Sequence, residues 1–285
     1  ILLVIGCLLL YRHLMRPLNR LQQATRRFSE GDYEARAGVL LGSRRDELAG
    51  LAETFDSMAE RIGGLIIDQR QRLAEMSHEL RTPLARIEMA VSLAEQGGAP
   101  TILLRRIRQD CTAMRALVED SLTLSWLETE RPRLRDETLD LTDLLDSIID
   151  DARFEFPDRH IDTQLPVEAE LTGSCHRALG QAIENIVRNA LEHTPPDGKV
   201  SIHLNCDPQT YLLEVIDEGP GVPEQWLERI FQPFERLSSD RAGFGLGLAL
   251  AQRQVFAIGG CLTARNNEQG GLCMTIRLPR EVSAA

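Results

Sequence analysis

The sequence predicts a multidomain chain, with an all-α N-terminal part followed by an α+β sandwich domain. Three observations predict it. From Leu14 to Ser121 the apolar residues recur at spacings of three, four and seven, which is helical periodicity. A charged stretch with Pro132, "ETERPRLRDETLDL", then breaks the pattern. From Leu139 onward, helical stripes mix with alternating runs such as "KVSIHLNC" and with glycine-rich loops.

At 285 residues the chain is too long for one small core, and two or three units are expected. The net charge of −11 argues against nucleic acid as a partner, because a phosphate backbone selects a basic surface. The six cysteines form no C-x-x-C pair and have no histidine at metal-ligand spacing. They read as buried small apolar residues in a reducing compartment.

The first element, "ILLVIGCLLLY", is apolar without a break and is followed by Arg12, His13 and Arg16. A membrane-spanning helix needs about 20 residues, so residues 1–11 read as the end of a truncated one, with the arginines on the cytoplasmic side. A signal peptide would begin with its charges rather than end with them. Residues 12–67 then carry two amphipathic segments. The first places Leu14, Leu18, Leu21, Ala24 and Phe28 on one stripe, and the second Leu48, Leu51, Phe55, Met58 and Ile62. A polar connector with Gly31, Gly38 and Gly42 separates them. The pair resembles a HAMP signal-relay domain, with Pro17 and the "DEL" at Asp46–Leu48 at that family's proline and acidic positions.

Residues 68–130 read as a helical hairpin. Leu73, Leu80 and Ile87 are spaced by seven, as are Ser77, Leu84 and Val91. The second helix carries Leu104, Ile107, Cys111, Met114, Val118 and Ser121, and "QGGAP" joins the two. A hairpin buries little alone, so a second copy is expected to complete a four-helix bundle. His78 lies far round the helix from Leu80 and so faces water. Thr82 follows one turn on. Pro83 deprives the Glu79 carbonyl of its helical partner, so a bend is expected where the histidine is displayed.

Residues 131–138 are the linker to the last unit, 139–281. There "DLTDLLDSIIDDARFEF" reads as a helix and "VEAELTG" as a strand. "CHRALGQAIENIVRNALEHT" reads as a long helix with Leu179, Ile183, Ile186 and Ala190 buried. "KVSIHLNC" and "TYLLEVID" are strands, "LGLALAQRQVFAI" is a helix, and strands near 261–265 and 272–278 close the unit. Asn185, Asn189 and His193 recur every four residues, a polar line beside the apolar stripe. "DEGPGV" ends a strand at Asp217, and Gly219 and Gly221 permit close backbone approach. "GFGLGLAL" sets Gly243, Gly245 and Gly247 before a helix, which suits a phosphate on a flexible loop and a helix N-terminus. Its G-x-G-x-G spacing is not the dinucleotide fingerprint.

The order of the motifs is more specific than any one of them. His-Glu-Leu-Arg-Thr-Pro from His78, the two-asparagine helix, Asp-x-Gly-x-Gly, the Phe-Pro-Phe box of "IFQPFERL" and Gly-x-Gly-x-Gly-Leu occur in one chain. Together they resemble a bacterial membrane-bound sensor histidine kinase of a two-component system, over essentially the whole chain. The resemblance implies relay, dimerisation and GHKL-type ATP-binding domains in a homodimer at the inner membrane, with ATP and Mg²⁺ as cofactors. It implies His78 as the phospho-acceptor, Glu79 as its base, and Thr82 as the residue that aims water at a response regulator's phospho-aspartate.

By the same resemblance Asn189, with Asn185, holds Mg²⁺, and Asp217 accepts from the adenine amino group. Gly219 and Gly221 shape the base pocket, and His193, Phe234 and Leu248 border the nucleotide. Gly243, Gly245 and Gly247 form a phosphate lid, with Arg236 or Arg241 offsetting charge. Glu192 stands where the family usually has a basic residue. Two alternatives share part of the pattern. An ATPase of the chaperone, mismatch-repair and gyrase group would leave His78 and the hairpin unexplained. A phosphatase-dominant receptor would use the same residues in a different balance.

Overall fold

The computed structural model describes residues 3–4, 11–38, 46–96, 100–130, 137–237, 243–267 and 270–280. Most of the expected linker, most of the apolar N-terminal run, the hairpin turn at 97–99 and Arg241 lie outside them. Among the described residues no helix is long and apolar enough to cross a membrane. The chain divides into two compact units, Ile1–His78 and Glu79–Ala285.

In the first unit a π-helical turn, Tyr11–Met15, leads into helix α1, Arg16–Ser29, with Pro17 in its first turn, where a missing N–H costs nothing. Helix α2 is Glu47–Glu95. Within the unit, Ala24 of α1 packs with Ala37, Ala52, Phe55 and Ala59, flanked by Leu21 and Phe28. Small residues let the two helices and the connector approach closely. The Asp56 carboxylate takes the N–H groups of Ala37 (2.6 Å) and Gly38 (2.8 Å), which ties the connector to α2. Leu14, Leu18, Leu51, Met58 and Ile62 stay exposed in the single chain. The expected stripe of the second segment is therefore split: Phe55 turns inward, Leu48 is half-buried, and Leu51, Met58 and Ile62 turn out.

One expectation for the helices is corrected. The relay and histidine segments are one helix, not two. Gly63 and Gly64 each cost about 1 kcal/mol of helix propensity, too little to break a helix of this length. Gly63 is also used for packing, since a Cβ there would stand 3.3 Å from Tyr33. Pro83 lies inside α2 without ending it, and is buried. In helix α3, Pro100–Glu130, the inward residues include Leu117, Leu124 and Leu127, whereas Leu104, Cys111 and Val118 are exposed. Arg86 of α2 and Asp110 of α3 pair at 2.5 Å, with the Asp110 side chain almost fully buried.

The rest of the second unit is a helix-on-sheet sandwich. Strands β1 (Glu137–Asp140) and β3 (Glu170–Ser174) form an antiparallel pair. Helix α4 is Leu141–Glu155, and Asp140 caps it by accepting from Thr142 N–H at 2.7 Å. Strand β2 is His160–Gln164, helix α5 is His176–His193, and strands β4 (Lys199–Cys206) and β5 (Thr210–Asp217) follow. Two 3₁₀ turns, Glu224–Trp226 and Arg229–Phe231, precede helix α6, Gly247–Ala257. Strands β6 (Cys261–Asn266) and β7 (Leu272–Pro279) close the chain.

The main sheet has the order β2-β4-β5-β7-β6, with β2 parallel to β4 and every other pair antiparallel. The alternation read in β4 and β5 turns Val200, Ile202, Tyr211, Leu213 and Val215 to the core. Leu179, Ile183, Ile186 and Ala190 of α5 meet them, each at most 1 % exposed. Burying one such leucine or isoleucine contributes about 1.5–3 kcal/mol. This packing fixes α5 on the sheet and holds its polar line beside the core. Of the described cysteines only Cys273 is buried; Cys111, Cys206 and Cys261 are exposed and Cys175 is half-buried. Their small size placed them at helix surfaces and strand edges as readily as in the interior.

Candidate active site

Helix α5 carries one wall. Asn185, Asn189 and His193 are all half-buried, on the side of the helix turned away from the sheet core. The Asn185 side-chain Nδ2 is buried and, among the described residues, has no hydrogen-bond partner. Such a group costs about 1–3 kcal/mol, and this N–H donor is chemically matched by an acceptor such as a phosphate oxygen. His193 is oriented by a 2.8 Å contact between Nδ1 and the Asn189 carbonyl oxygen.

The loop after β5 carries the second wall. Asp217 ends the strand at 3 % exposure. Its Oδ1 accepts from Gly219 N–H (2.7 Å) and from Leu272 N–H (3.1 Å). Burial pushes the Asp217 carboxyl above the usual carboxylate range, and the two N–H donors and nearby His193 pull it partly back. Gly219 sits against the end of α5: a Cβ there would stand 2.9 Å from the His193 carbonyl oxygen. Glycine thus brings the Asp217 loop to the polar line.

The glycine-rich loop and the start of α6 make the third wall. Gly243 and Gly245 take left-handed backbone angles, φ 110° and 72°. A Cβ at Gly247 would stand 3.5 Å from the Asn185 side chain, so the α6 N-terminus lies directly over that asparagine. Helix N–H groups there favour an anion. Phe234 is one of two described non-glycine residues with positive φ, at 65°, and its N–H donates to the Gly245 carbonyl at 2.9 Å. Phe234, like Phe244 and Leu80, packs against the cluster of Leu117, Leu124, Leu127, Leu246 and Leu250. Leu248 packs on the main core, and Arg236 is half-buried beside Gly245.

The structure therefore brings together Asn185, Asn189, His193, Asp217, Gly219, Gly245 and Gly247. It places Phe234 and Leu248 in apolar packing. His78 is exposed on α2 and belongs to the first compact unit, whereas Asn185, Asn189, His193, Asp217, Gly245 and Gly247 belong to the second. Glu79 is half-buried and Thr82 is exposed.

Three family models match the chain. The HAMP domain matches residues 9–64, the His Kinase A (phospho-acceptor) domain 68–130, and the histidine kinase-, DNA gyrase B- and HSP90-like ATPase family 175–282. The chain is 40% identical to the sensor protein PfeS of Pseudomonas aeruginosa, across 95% of this chain and 61% of that protein. It is 32% identical to the signal transduction histidine-protein kinase AfsQ2 of Streptomyces coelicolor, across 94% of this chain and 53% of that one. The chain belongs to the sensor histidine kinases. It spans somewhat over half the length of these relatives. The fold is also that of the Acinetobacter baumannii histidine kinase AdeS, with a TM-score of 0.61 at 23% identity over 72% of this chain and 98% of that one.

For a sensor histidine kinase the donor set fits a nucleotide. Side-chain amide oxygens suit Mg²⁺, a hard cation that keeps much of its water. A buried carboxylate suits an amino group, and open glycine backbone suits phosphate. Sequence reasoning passed over the β6–β7 turn, whose Leu272 N–H holds Asp217. Its signal was present as adjacent glycines, Gly270 and Gly271, between two strands.

Proposed function

We propose that the chain is the membrane-proximal and kinase portion of a two-component sensor, which phosphorylates His78 from ATP and passes the phosphoryl group to an aspartate of a response regulator. One observation carries the nucleotide half: the buried, unpartnered Asn185 amide lies under the α6 N-terminus, on the same helix as Asn189 and His193 beside Asp217. The exposed His78 within the phospho-acceptor match carries the other half.

In this reading Asp217 accepts a hydrogen bond from the adenine amino group, and Gly219 and Gly221 line the base. Gly243, Gly245 and Gly247 cover the phosphates, with Arg236 and Arg241 offsetting charge. Asn189 and Asn185 would hold Mg²⁺, which neutralises charge developing on the phosphates. The His78 imidazole attacks the γ-phosphorus, the bond to the ADP oxygen breaks, and Glu79 receives the ring proton. Thr82 orients water for the reverse task, hydrolysis of the regulator's phospho-aspartate. Glu192 is exposed on α5.

The unit divisions carried by this reading are 12–67 for relay, 68–130 for dimerisation and 139–281 for ATP binding. A homodimer is supported by Leu73, Leu84, Val91 and Leu104, which remain exposed in the single chain. The inner membrane is supported by the relay-domain match and the apolar run at residues 1–11. A response regulator is supported by the related fold of the histidine kinase ThkA, solved in complex with the response regulator TrrA (TM-score 0.60, 22% identity, 80% of this chain and 66% of that one).

Incubation with γ-labelled ATP and Mg²⁺ tests the proposal. It should give an acid-labile, base-stable phosphoprotein that His78→Gln abolishes. A label that survives this substitution sinks the assignment. A label that leaves with the nucleotide and never stays on the wild-type protein would favour the plain ATPase.

A further inference from the structure

We propose that Asn266 is a positioning residue that, through Val222 and the loop it ends, aims Asp217 at the base. The proposal rests on the nucleotide reading above.

The side chain of Asn266 meets the backbone of Val222 in both directions. Val222 N–H donates to Oδ1 at 2.9 Å, and Nδ2 donates to the Val222 carbonyl at 2.6 Å. This pair mimics a rung of a β-ladder and holds the amide in one plane. The loop from Asp217 to Val222 is thus held at both ends. At one end Asp217 receives two N–H groups, one from its own loop and one from Leu272 across the turn. At the other end Val222 is held by Asn266.

Both bonds to Asp217 land on Oδ1, while Oδ2 makes no hydrogen bond among the described residues. The carboxylate is therefore rotated into one setting, with one oxygen engaged by protein and the other left as an acceptor. A second set of contacts makes that setting depend on the turn. Gly271 has φ 87°, and a Cβ there would collide with the Asp217 carbonyl oxygen and stand 3.0 Å from Oδ1. Gly221 has φ 70°, and a Cβ there would stand 2.9 Å from Asn266 Oδ1. The turn itself is closed by Asn267 N–H to the Gly271 carbonyl and by Gly270 N–H to the Asn267 carbonyl, both at 3.0 Å. Asn266, Gly221 and Gly271 thus form one fitted set around Asp217.

Asn266 is exposed, so loss of its two bonds should cost the fold little. The same loss frees the loop that carries Gly219 and Gly221, so the effect concentrates on ligand binding. The test compares wild type and Asn266→Ala in the whole chain, titrated with ATP and with ITP. ITP differs in bearing an oxygen where adenine has its amino group. Apo melting is measured alongside, together with KM and kcat for His78 labelling.

The expected result is an ATP affinity about tenfold weaker, with ITP weakened less, so that the preference for the amino base narrows. KM rises, kcat holds and apo melting barely moves. Asn266→Asp keeps the acceptor for Val222 N–H and loses the donor, so it should fall between the two. Unchanged ATP affinity in Asn266→Ala overturns the positioning role and leaves the nucleotide reading standing. ATP and ITP affinities that fall in equal proportion, together with apo melting, overturn it in favour of a purely structural turn. A wild type that binds neither nucleotide overturns the underlying reading and this proposal with it.

Discussion

Replacing Asp217 by Asn separates what the carboxylate does for the fold from what it does for the ligand. The two side chains have nearly the same shape, and an Asn Oδ1 can still accept from Gly219 N–H and Leu272 N–H. The fold's own hydrogen bonds are therefore kept. The second oxygen becomes an NH₂ group, a donor facing the amino donor of adenine. A hydrogen bond to a charged acceptor is worth about 1.5–3 kcal/mol, so ATP affinity should fall roughly 10- to 150-fold.

Stability should move the other way. Burial raises the Asp217 pKa, and the folded value lies above the unfolded one. A carboxyl shifted in that direction stabilises the fold fully below its unfolded pKa, and that contribution is lost as pH rises through the folded pKa. At neutral pH the buried charge therefore opposes folding, and Asp217→Asn should melt at the same temperature as wild type or higher. Wild-type affinity for ATP should weaken as pH falls through the raised pKa, because a protonated carboxyl presents a poorer acceptor. The variant should lack that acid limb. Calorimetric titration with ATP and apo melting, each followed between about pH 4 and 7, read both effects. Wild-type affinity in the variant would refute the base contact. A lower melting point at neutral pH would refute the argument about the buried charge.

Three further outcomes are expected. Leu117→Ala removes a side chain with no exposure from the cluster that joins α3 to α6, and should cost about 2–5 kcal/mol; unchanged thermal unfolding would mean that α3 does not pack on α6 in solution. Asn189→Ala should lower His78 labelling at least tenfold at limiting Mg²⁺ while the circular dichroism spectrum is kept, and equal labelling would remove it from the metal site. Thr82→Ala should keep most labelling and transfer but slow decay of phospho-regulator with ADP present by about 10- to 100-fold; equal decay would make Thr82 an ordinary surface residue.

Legibility followed how burial is distributed. Strands β4 and β5 were read to the residue because one face is covered and the other is not, so the sequence alternates. Helix α5 was read the same way from its stripe of Leu179, Ile183, Ile186 and Ala190. Strand β2 was missed because it lies at the sheet edge with most residues exposed, and "HIDTQ" has nothing to alternate. Strand β1 is four residues long and sits inside a charged run. In the proposed site, the residues assigned a side-chain role were visible: Asn185, Asn189, His193 and Asp217. The contact from Leu272 was not, because it is made by a backbone N–H, and any residue but proline supplies one. Asn266 is an exposed asparagine at the end of β6, and only its pairing with Val222 distinguishes it.

The helical hairpin shows a different limit. Its sequence carries two heptad seams, and periodicity alone ranks Leu104 and Val118 with Ile107 and Met114. The structure separates them. Leu117 and Leu124 are covered by the chain's own α6, Ala90 is buried, and Leu73, Leu84, Val91 and Leu104 are left largely open. Periodicity registers an apolar face whatever covers it, because the transfer of that surface from water is the same whether the cover is intramolecular or a second copy. The open leucines are thus the remainder after intramolecular packing. A second hairpin of the same sequence offers the same open faces, which is the self-complementarity a two-fold bundle requires.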